Sequence, residues 1–351
     1  MGEGVAGAGE PDRLVATCDA IDRLVTVEMR LSAYSRGVIE HLYGAARERQ
    51  GGGPLSLLAA RTLTGSVGRG DAVFVATGAG VADFLPDGET DGPPGAVALA
   101  NALSLGLGAV PLLLTEAPYA DNLARTALAG GLGTRTPEVA RRVPGTAAVL
   151  PLASDGSAEE QAADYLERYR PAAVIAVEKI GPNSIGVAHT ATGKPAGDGR
   201  ARFETVLERA REGGIPTIGI GDNGNEFGFG LIEDAVRRHK PYGDRCQCPC
   251  GAGLATSVVT DVLVPANTSN WGAYGVAAAL AALLGRPEVF HDEETERRTI
   301  EACVEAGAVD GSTGRHVPKV DGSPLKAQIA VVTLLRTIVV NGLARPSERP
   351  Y

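Results

Sequence analysis

The chain has 351 residues, of which 44% are hydrophobic and 21% are charged, and this composition predicts a globular protein with one large core or two modest ones. Its 33 basic and 42 acidic side chains give a formal charge of −9, which argues against nucleic acid and anionic membranes as partners. The sequence shows neither an apolar run of about 20 residues nor a secretory signal, and its five cysteines do not form a disulfide pattern, so we expect a cytoplasmic protein without a membrane span.

The N-terminal part is predicted to be helical after a short tail. Residues 1–11 are small, polar and glycine-rich, so we expect them to be disordered. Residues 12–50 have a helical pattern, which is clearest in AIDRLVTVEMR (20–30), and QGGGP then breaks the chain.

From residue 71 onward, short apolar runs alternate with helical patterns. The predicted strands cover 71–77, 109–115, 145–152, 172–178, 215–220 and 261–266. The predicted helices cover 94–107, 119–130, 157–170, 200–213, 230–239, 271–284, 293–306 and 324–341. Fully apolar strands separated by helices favour an open, mostly parallel α/β sheet of about six or more strands, with helices on both faces. We expect one domain over residues 12–351, from which the charged, glycine-rich segment 286–323 could be an excursion.

Polar residues collect after five of the predicted strands. Because the carboxyl ends of parallel strands form the ligand-binding edge of such a sheet, we expect these residues to share a site, although a solvated turn would explain any one of them. Glu116 and Glu178 end two strands. The candidates for substrate binding are Glu89, Asp91, Asn183, Asn223, Asn225, Ser269, Asn270 and Trp271.

The stretch GIGDNGNEFGFG (219–230) contains the spacing of a dinucleotide-binding loop. Asp222 and Glu226 would repel a pyrophosphate there, and Asp244, at the distance of a ribose-binding acid, does not follow a strand. We therefore expect the glycines to admit a small ligand. Asp222 and Glu226 could take a proton, bind an ammonium group or hold a divalent cation.

A helix that begins near Pro94 would point its N-terminus at the same edge. Its free N–H groups would suit a carboxylate of the substrate. Asp91 is either the cap of that helix or a site residue, whereas Glu89 is the better site candidate. Trp271 is either a pocket wall or a core residue that opens a helix capped by Ser269 or Asn270.

The CQCPCG segment brings Cys246, Cys248 and Cys250 together, and its role stays open between a metal site, a reactive thiol and inert packing. Alternating spacing is unusual for structural zinc, and His239 is the histidine that we consider as an added ligand. We interpret His189 as a surface residue or an acid/base group.

Five segments together resemble the D-glutamate cyclase C-terminal domain family, over about residues 70–340. They are GETDGPPGAVALANAL, GIGDNGNEFGFG, EDAVRRHKPYGDRCQC, SNWGAYG and VDGSTGRHVPKVDG. The resemblance implies a lyase that interconverts D-glutamate and 5-oxo-D-proline with loss or gain of water. It does not supply a list of catalytic residues.

The chemistry of that reaction assigns roles to the candidate residues. The α-amine must lose a proton before it attacks the γ-carboxyl carbon, and the departing oxygen must gain one. Asp222 and Glu226 are the candidates for base and ammonium clamp, and Glu178 is the candidate acid. Asn225, Asn270 and Ser269 could donate to substrate oxygens.

The expected partner is a small amino-acid substrate, and a homo-oligomer is left open. No cofactor is certain, but Asp222 and Glu226 could hold Mn²⁺ or Mg²⁺. No P-loop is present, so ATP is not expected. Two alternatives are a non-catalytic module that binds a small ligand and a hydrolase of lactams or amides that uses a thiol of CQCPCG.

Overall fold

The computed structural model describes residues 10–30, 35–78, 80–81 and 85–344, and its centre is a seven-stranded sheet. The strands are β1 Ala72–Thr77, β2 Val110–Glu116, β3 Gly133–Thr134, β4 Thr146–Leu152, β5 Ala173–Val177, β6 Thr217–Gly221 and β7 Val262–Pro265. Their order is β3-β4-β2-β1-β5-β6-β7, and each pairing is parallel. The predicted fold class and all six predicted strands are therefore confirmed, and the two-residue strand β3 is an addition.

The helices surround this sheet. They are α1 Glu10–Val25, α2 Val38–Arg49, α3 Leu55–Ser66, α4 Pro93–Leu107, α5 Ala120–Ala129, α6 Pro137–Ala140, α7 Ala158–Tyr169, α8 Glu204–Glu212, α9 Glu233–His239, α10 Ser269–Leu284, α11 Glu293–Glu305 and α12 Leu325–Leu343. Each helix predicted after β1 is present, with ends shifted by a few residues. A small hairpin of β8 Lys319–Val320 and β9 Ser323–Pro324 precedes α12.

Three expectations for the N-terminal part need correction. The expected tail of residues 1–11 is too long, because α1 begins at Glu10; residues 1–9 lie outside the described residues. The helix predicted over AIDRLVTVEMR ends at Val25, where a run of β-branched residues lowers helix propensity. Helix α3 was not predicted, since its apolar residues gave no clear period.

Alternation along the strands separates two apolar cores. In β1, Val73 and Val75 belong to the core beneath α4 and α10, whereas Phe74 belongs to the core beneath α7 and α8. Each such side chain, once fully buried, contributes about 1.5–3 kcal/mol to folding. The two covered faces leave the carboxyl edge of the sheet as the place where polar residues gather.

Helix α12 departs from the expectation that no segment could span a bilayer. By length and composition alone it is the one helix in the described part of the chain that could do so. The buried core helix of a globular protein meets the same criterion, and α12 buries Val331, Val332, Leu335 and Val339 within the protein.

Helices α4 and α10 cap each other where they begin. The Asn270 side-chain oxygen accepts hydrogen bonds from the backbone N–H groups of Gly92 (2.9 Å) and Gly95 (2.7 Å) at the start of α4. In return, the Asp91 carboxylate accepts from the N–H groups of Ser269 (2.9 Å) and Asn270 (2.8 Å) at the start of α10. The prediction that the N-terminus of α4 seats a substrate carboxylate is therefore wrong, because Asn270 already uses its donors.

The individual caps also differ from those predicted. Asp91 does not cap its own helix α4, whose N-cap position is Gly92, with φ 105°. The N-cap of α10 is Thr268, whose hydroxyl accepts from the Trp271 N–H at 3.3 Å, rather than Ser269 or Asn270.

We expect Asn270→Ala to lower the free energy of unfolding by about 1–3 kcal/mol, because buried N–H donors at the start of α4 lose their acceptor. Urea denaturation measures this change. Asn341→Ala, at an exposed position of α12, is the matched control and should shift stability by less than about 0.5 kcal/mol. Equal effects of the two substitutions would show that the shared cap contributes little.

Candidate functional site

A cavity of about 750 Å³ opens beyond the carboxyl ends of β1, β5 and β6. Four of the predicted site residues line it, namely Glu89, Glu178, Asn223 and Asn225. The rest of its wall comes from residues 30 and 35, from the apolar residues 81, 85 and 180, from loop residues 190–194, and from residues 311–322, which follow α11. The segment expected to be an excursion thus returns to the sheet edge, where Val309 pairs with Glu89.

Glu178 enters the cavity from the residue that follows β5. Its backbone φ is +48°, a left-handed conformation that is uncommon for residues other than glycine. The Ser269 hydroxyl donates a hydrogen bond to its carboxylate. Burial, followed by the negative charges of Glu226 and Asp91, raises the pKa of Glu178 well above its ordinary value. This strained backbone and this pKa are both common at functional sites.

Glu89 is a second acidic wall residue, with 9% of its surface exposed. Burial and the nearby carboxylates of Asp321 and Asp91 raise its pKa well above the ordinary range. The loop after α11 approaches it closely, since a Cβ on Gly311 would lie 2.0 Å from a Glu89 carboxylate oxygen. A larger residue at position 311 would displace this carboxyl from the position that it occupies.

Asp222 lies behind the cavity wall in an ion pair. The Arg30 guanidinium contacts the carboxylates of Asp222 at 2.5 Å and of Asp321 at 2.8 Å. It thereby joins the turn after β6 to the β8–β9 hairpin. Burial raises the pKa of Asp222, the Arg30 charge opposes this shift, and the Glu178 charge adds to it.

Glu226 has its oxygens occupied by the turn that contains it. Its carboxylate accepts hydrogen bonds from the N–H groups of Asp222 (3.1 Å), Asn223 (2.9 Å) and Gly224 (2.8 Å). Consecutive N–H groups of this kind form an anion-binding nest, and here the anion is the protein's own side chain. Because the Glu226 carboxylate fills the nest, no phosphate can bind there, which agrees with the sequence argument against a dinucleotide site. Because its oxygens already accept these bonds, Glu226 is a poor candidate for the base or the ammonium clamp.

The glycines of the same turn allow it to fold back over β6. A Cβ on Gly219 would lie 2.2 Å from the Phe227 carbonyl oxygen. Gly224 has φ +89°, and a Cβ there would lie 2.5 Å from the Val236 side chain. These glycines therefore allow close packing within the protein itself, rather than the approach of a ligand that we expected.

Two asparagines of this turn reach the cavity. One N–H of the Asn225 side-chain amide donates to the His189 carbonyl oxygen (2.8 Å), whereas the buried Asn225 Oδ1 has no hydrogen-bond partner among the described residues. Asn223 accepts from the Lys240 ammonium at 2.6 Å and from Ser35 at 3.1 Å. Burial and the charge of Arg30 lower the pKa of Lys240 to about 8.

Two sets of carboxylates lie close enough to hold a cation. One oxygen each of Glu178, Asp222 and Glu226 lies within 4.8 Å of the others, and the same is true of Asp91, Asp222 and Asp321. Hard divalent cations such as Mg²⁺ and Mn²⁺ bind carboxylate oxygens. The structure therefore adds Glu178 to the pair Asp222 and Glu226 that the sequence offered.

Other predicted residues support the site from outside the cavity wall. Trp271 is fully buried and donates to Gln328 at 2.6 Å, so it is a core residue and the pocket-wall interpretation is wrong. Asn183 organises its own loop through bonds to the N–H groups of Ile185 and Val187. Asp91, Ser269 and Asn270 belong to the paired helix caps described above.

The cysteines of CQCPCG face a different histidine from the one considered. His189 is fully buried, contrary to the surface interpretation, and its Nε2 lies 3.2 Å from the Cys248 sulfur. His239 instead stacks on His41, with ring centroids 4.0 Å apart. The three thiols are absent from the described lining of the cavity.

Sequence reasoning missed Arg30, Ser35, Lys240 and Asp321. Arg30 and Ser35 flank residues 31–34, which the structure does not describe, and they lie far from any strand end. A sequence signal existed for Asp321, because it lies in the VDGSTGRHVPKVDG segment that supports the family resemblance. In the structure its φ is +50°, which is typical of a tight turn.

Comparisons with known proteins identify the family of the chain. A family model described as "D-glutamate cyclase-like, C-terminal" matches residues 39–336. Human D-glutamate cyclase, mitochondrial, is 30% identical over 203 residues, which are 56% of this chain. The match covers 30% of the human protein, so the chain corresponds to less than a third of that relative's length.

The acidic cluster predicts how stability depends on pH. Burial, followed by the charge of Asp321, raises the pKa of Asp91 to about 7, and Glu89 and Glu178 shift in the same direction. Carboxyls with raised pKa stabilise the folded state below their unfolded pKa of about 4, and this contribution is lost as pH rises through the folded pKa. With chelator present, the free energy of unfolding should therefore fall from about pH 4 to pH 7.

Glu89→Gln should make this decline shallower and should raise stability at pH 8, because a neutral amide replaces a carboxyl with a raised pKa. Urea denaturation across the pH range tests this expectation. Glu305→Gln, at the exposed end of α11, should reproduce the parent profile. A steeper decline or lower stability in Glu89→Gln at pH 8 would contradict the assignment.

Proposed function

The chain belongs to the D-glutamate cyclase-like C-terminal family, and from this membership we propose that it is a lyase that interconverts D-glutamate and 5-oxo-D-proline with loss or gain of water. The observation that carries the proposal is the cavity at the sheet edge, where two carboxyls with raised pKa, Glu178 and Glu89, share one wall. Its volume is in the range of small-molecule sites.

The first chemical step needs a base for the substrate ammonium group. Glu178, which the sequence offered as the acid, is the better candidate for this base, because its left-handed backbone and its bond from Ser269 fix its carboxylate at the cavity. A carboxylate with a raised pKa accepts a proton from an ammonium group more readily than an ordinary one. Asn225 Oδ1, a buried acceptor without a hydrogen-bond partner in the described part of the chain, is suited to receive another N–H of the same group.

The second step forms the C–N bond and breaks a C–O bond of the γ-carboxyl. Two protons must reach the departing oxygen so that it leaves as water: the second proton of the nitrogen, which becomes the lactam N–H, and one from an acid. Glu89 is suited to be this acid, since its neighbours keep its carboxyl protonated to a higher pH. Lys194 and Lys319, both in the cavity wall, supply positive charge for the substrate carboxylates.

A divalent cation fits the same residues. Glu178 and Asp222 would hold Mn²⁺ or Mg²⁺, which would polarise the γ-carboxyl, whereas both Glu226 oxygens already accept from backbone N–H groups. Closure of a five-membered lactam within one molecule avoids the entropy cost of bringing two reactants together, so the proposal requires no ATP.

The thiol hydrolase receives no support from the geometry. Cys246, Cys248 and Cys250 face one another and His189 instead of the described cavity wall. A non-catalytic binding module would use the same cavity, and ligand-dependent melting without turnover would identify it.

The assay incubates the purified chain with each enantiomer of glutamate and of 5-oxoproline, with and without Mn²⁺ or Mg²⁺, and follows interconversion by chiral chromatography. We expect turnover of the D-enantiomers. Absence of turnover with all four compounds under all metal conditions would overturn the proposal.

Glu178→Gln should reduce kcat by about 10²–10⁴-fold, because the amide cannot accept the substrate proton. Glu167→Gln, an exposed change of the same type on α7, should retain parent activity. Circular dichroism and thermal melting show whether each variant is folded. Activity of a folded Glu178→Gln within about threefold of the parent would exclude Glu178 as the base.

A further inference from the structure

Four metal-ligand side chains converge outside the cavity. The Nε2 atom of His189 and the sulfurs of Cys246, Cys248 and Cys250 all lie within 4.8 Å of one another. Cys246 is 3.5 Å from Cys248 and 3.2 Å from Cys250, sulfur to sulfur. The His189 Nε2 atom is 3.2 Å from the Cys248 sulfur and 3.5 Å from the Cys250 sulfur.

These four separations, 3.2–3.5 Å, are close to the edge lengths of a tetrahedral zinc site. With zinc bonds of about 2.3 Å to sulfur and 2.0–2.1 Å to nitrogen, ligand atoms of a tetrahedral site lie about 3.5–3.8 Å apart. Sulfurs that bind an iron–sulfur cluster would be spread over several irons and lie farther apart. Three thiolates and one imidazole are among the usual ligand sets of structural zinc.

The local chain explains why the spacing in CQCPCG did not predict such a site. In an extended strand, alternate side chains are about 7 Å apart. Residues 246–250 instead lie in consecutive bends and turns, which bring the three sulfurs together. The fourth ligand, His189, comes from a loop 57 positions earlier in the chain, so a motif search confined to one segment does not find it.

His189 supplies an independent indication of a ligand. It is fully buried, and Nδ1 has no hydrogen-bond partner among the described residues. Its Nε2 points at Cys248 and Cys250. A buried imidazole normally has a strong polar partner, and a neutral thiol is a weak one. A cation bound at Nε2 would give the buried ring a strong polar partner on the side that faces the sulfurs.

We propose that His189, Cys246, Cys248 and Cys250 bind one Zn²⁺ as a closed structural site. The site joins the loop that follows β5 to the segment that follows α9. Two contacts already run between these loops, from the Gln247 N–H to the Gly193 carbonyl (2.8 Å) and from the Gln247 side chain to the Thr192 carbonyl (2.7 Å).

The zinc site also bears on the cavity. Residues 190–192, directly after His189, line the cavity, and Asn225 donates to the His189 carbonyl oxygen. Zinc bound to His189 and the three cysteines would therefore hold the part of the cavity wall formed by residues 190–192 in place. A site with four protein ligands has no open position, so this zinc is structural and does not act on substrate.

The test begins with metal content. Protein purified without added chelator should contain about one zinc per chain by plasma mass spectrometry, and native mass spectrometry should show it bound. Cobalt in place of zinc should give the absorption of tetrahedral Co²⁺ with thiolate ligands. Both readouts are independent of any catalytic activity, so the zinc site and the proposed reaction can fail separately.

Cys248→Ser and His189→Asn should lose the zinc and melt at lower temperature. Cys303→Ser, which changes a buried thiol outside the cluster, is the matched control and should keep one equivalent. If the variants do not fold, the cobalt spectrum of the parent protein decides. Metal-free parent protein that also fails to bind added zinc or cobalt would overturn the proposal, as would a disulfide between Cys246 and Cys250 in protein prepared under reducing conditions.

Discussion

The constraint on which this structure depends is the burial of several carboxylates at one edge of a sheet. Buried like charges are costly unless hydrogen bonds or opposite charges satisfy them. Glu226 is satisfied by three backbone N–H groups, Asp91 by two, and Asp222 by Arg30. Glu89 and Glu178 have less compensation, and these are the two that reach the cavity.

This division separates carboxylates that build the site from those suited to chemistry. A carboxylate that accepts several N–H hydrogen bonds is held in one orientation. One that lies among other acids keeps its proton to a higher pH. The sheet edge contains both kinds within a few residues, since Asp222 and Glu226 form the turn after β6 and Glu178 ends the neighbouring β5.

The sequence was sufficient for the sheet and for the edge that carries the site, because buried parallel strands are short apolar runs whose ends are marked by polar residues. It could not assign partners to those polar residues. Asp91 and Asn270 cap each other's helices across 179 positions, and Arg30 reaches Asp222 across 192. His189 and CQCPCG show the same limit, since local spacing does not report which loop supplies the remaining ligand.

The exchange of caps between α4 and α10 has a consequence for how this scaffold could diversify. Many α/β proteins bind anions at the start of a helix. In such proteins, a change of ligand requires a change in the helices and strands that form the fold. Here the free N–H groups at the start of α4 and of α10 are bonded to side chains of the protein. An anionic ligand in the cavity would therefore contact the loops around Thr192 and Ser312. Those loops could change their preference while the framework beneath them stays the same.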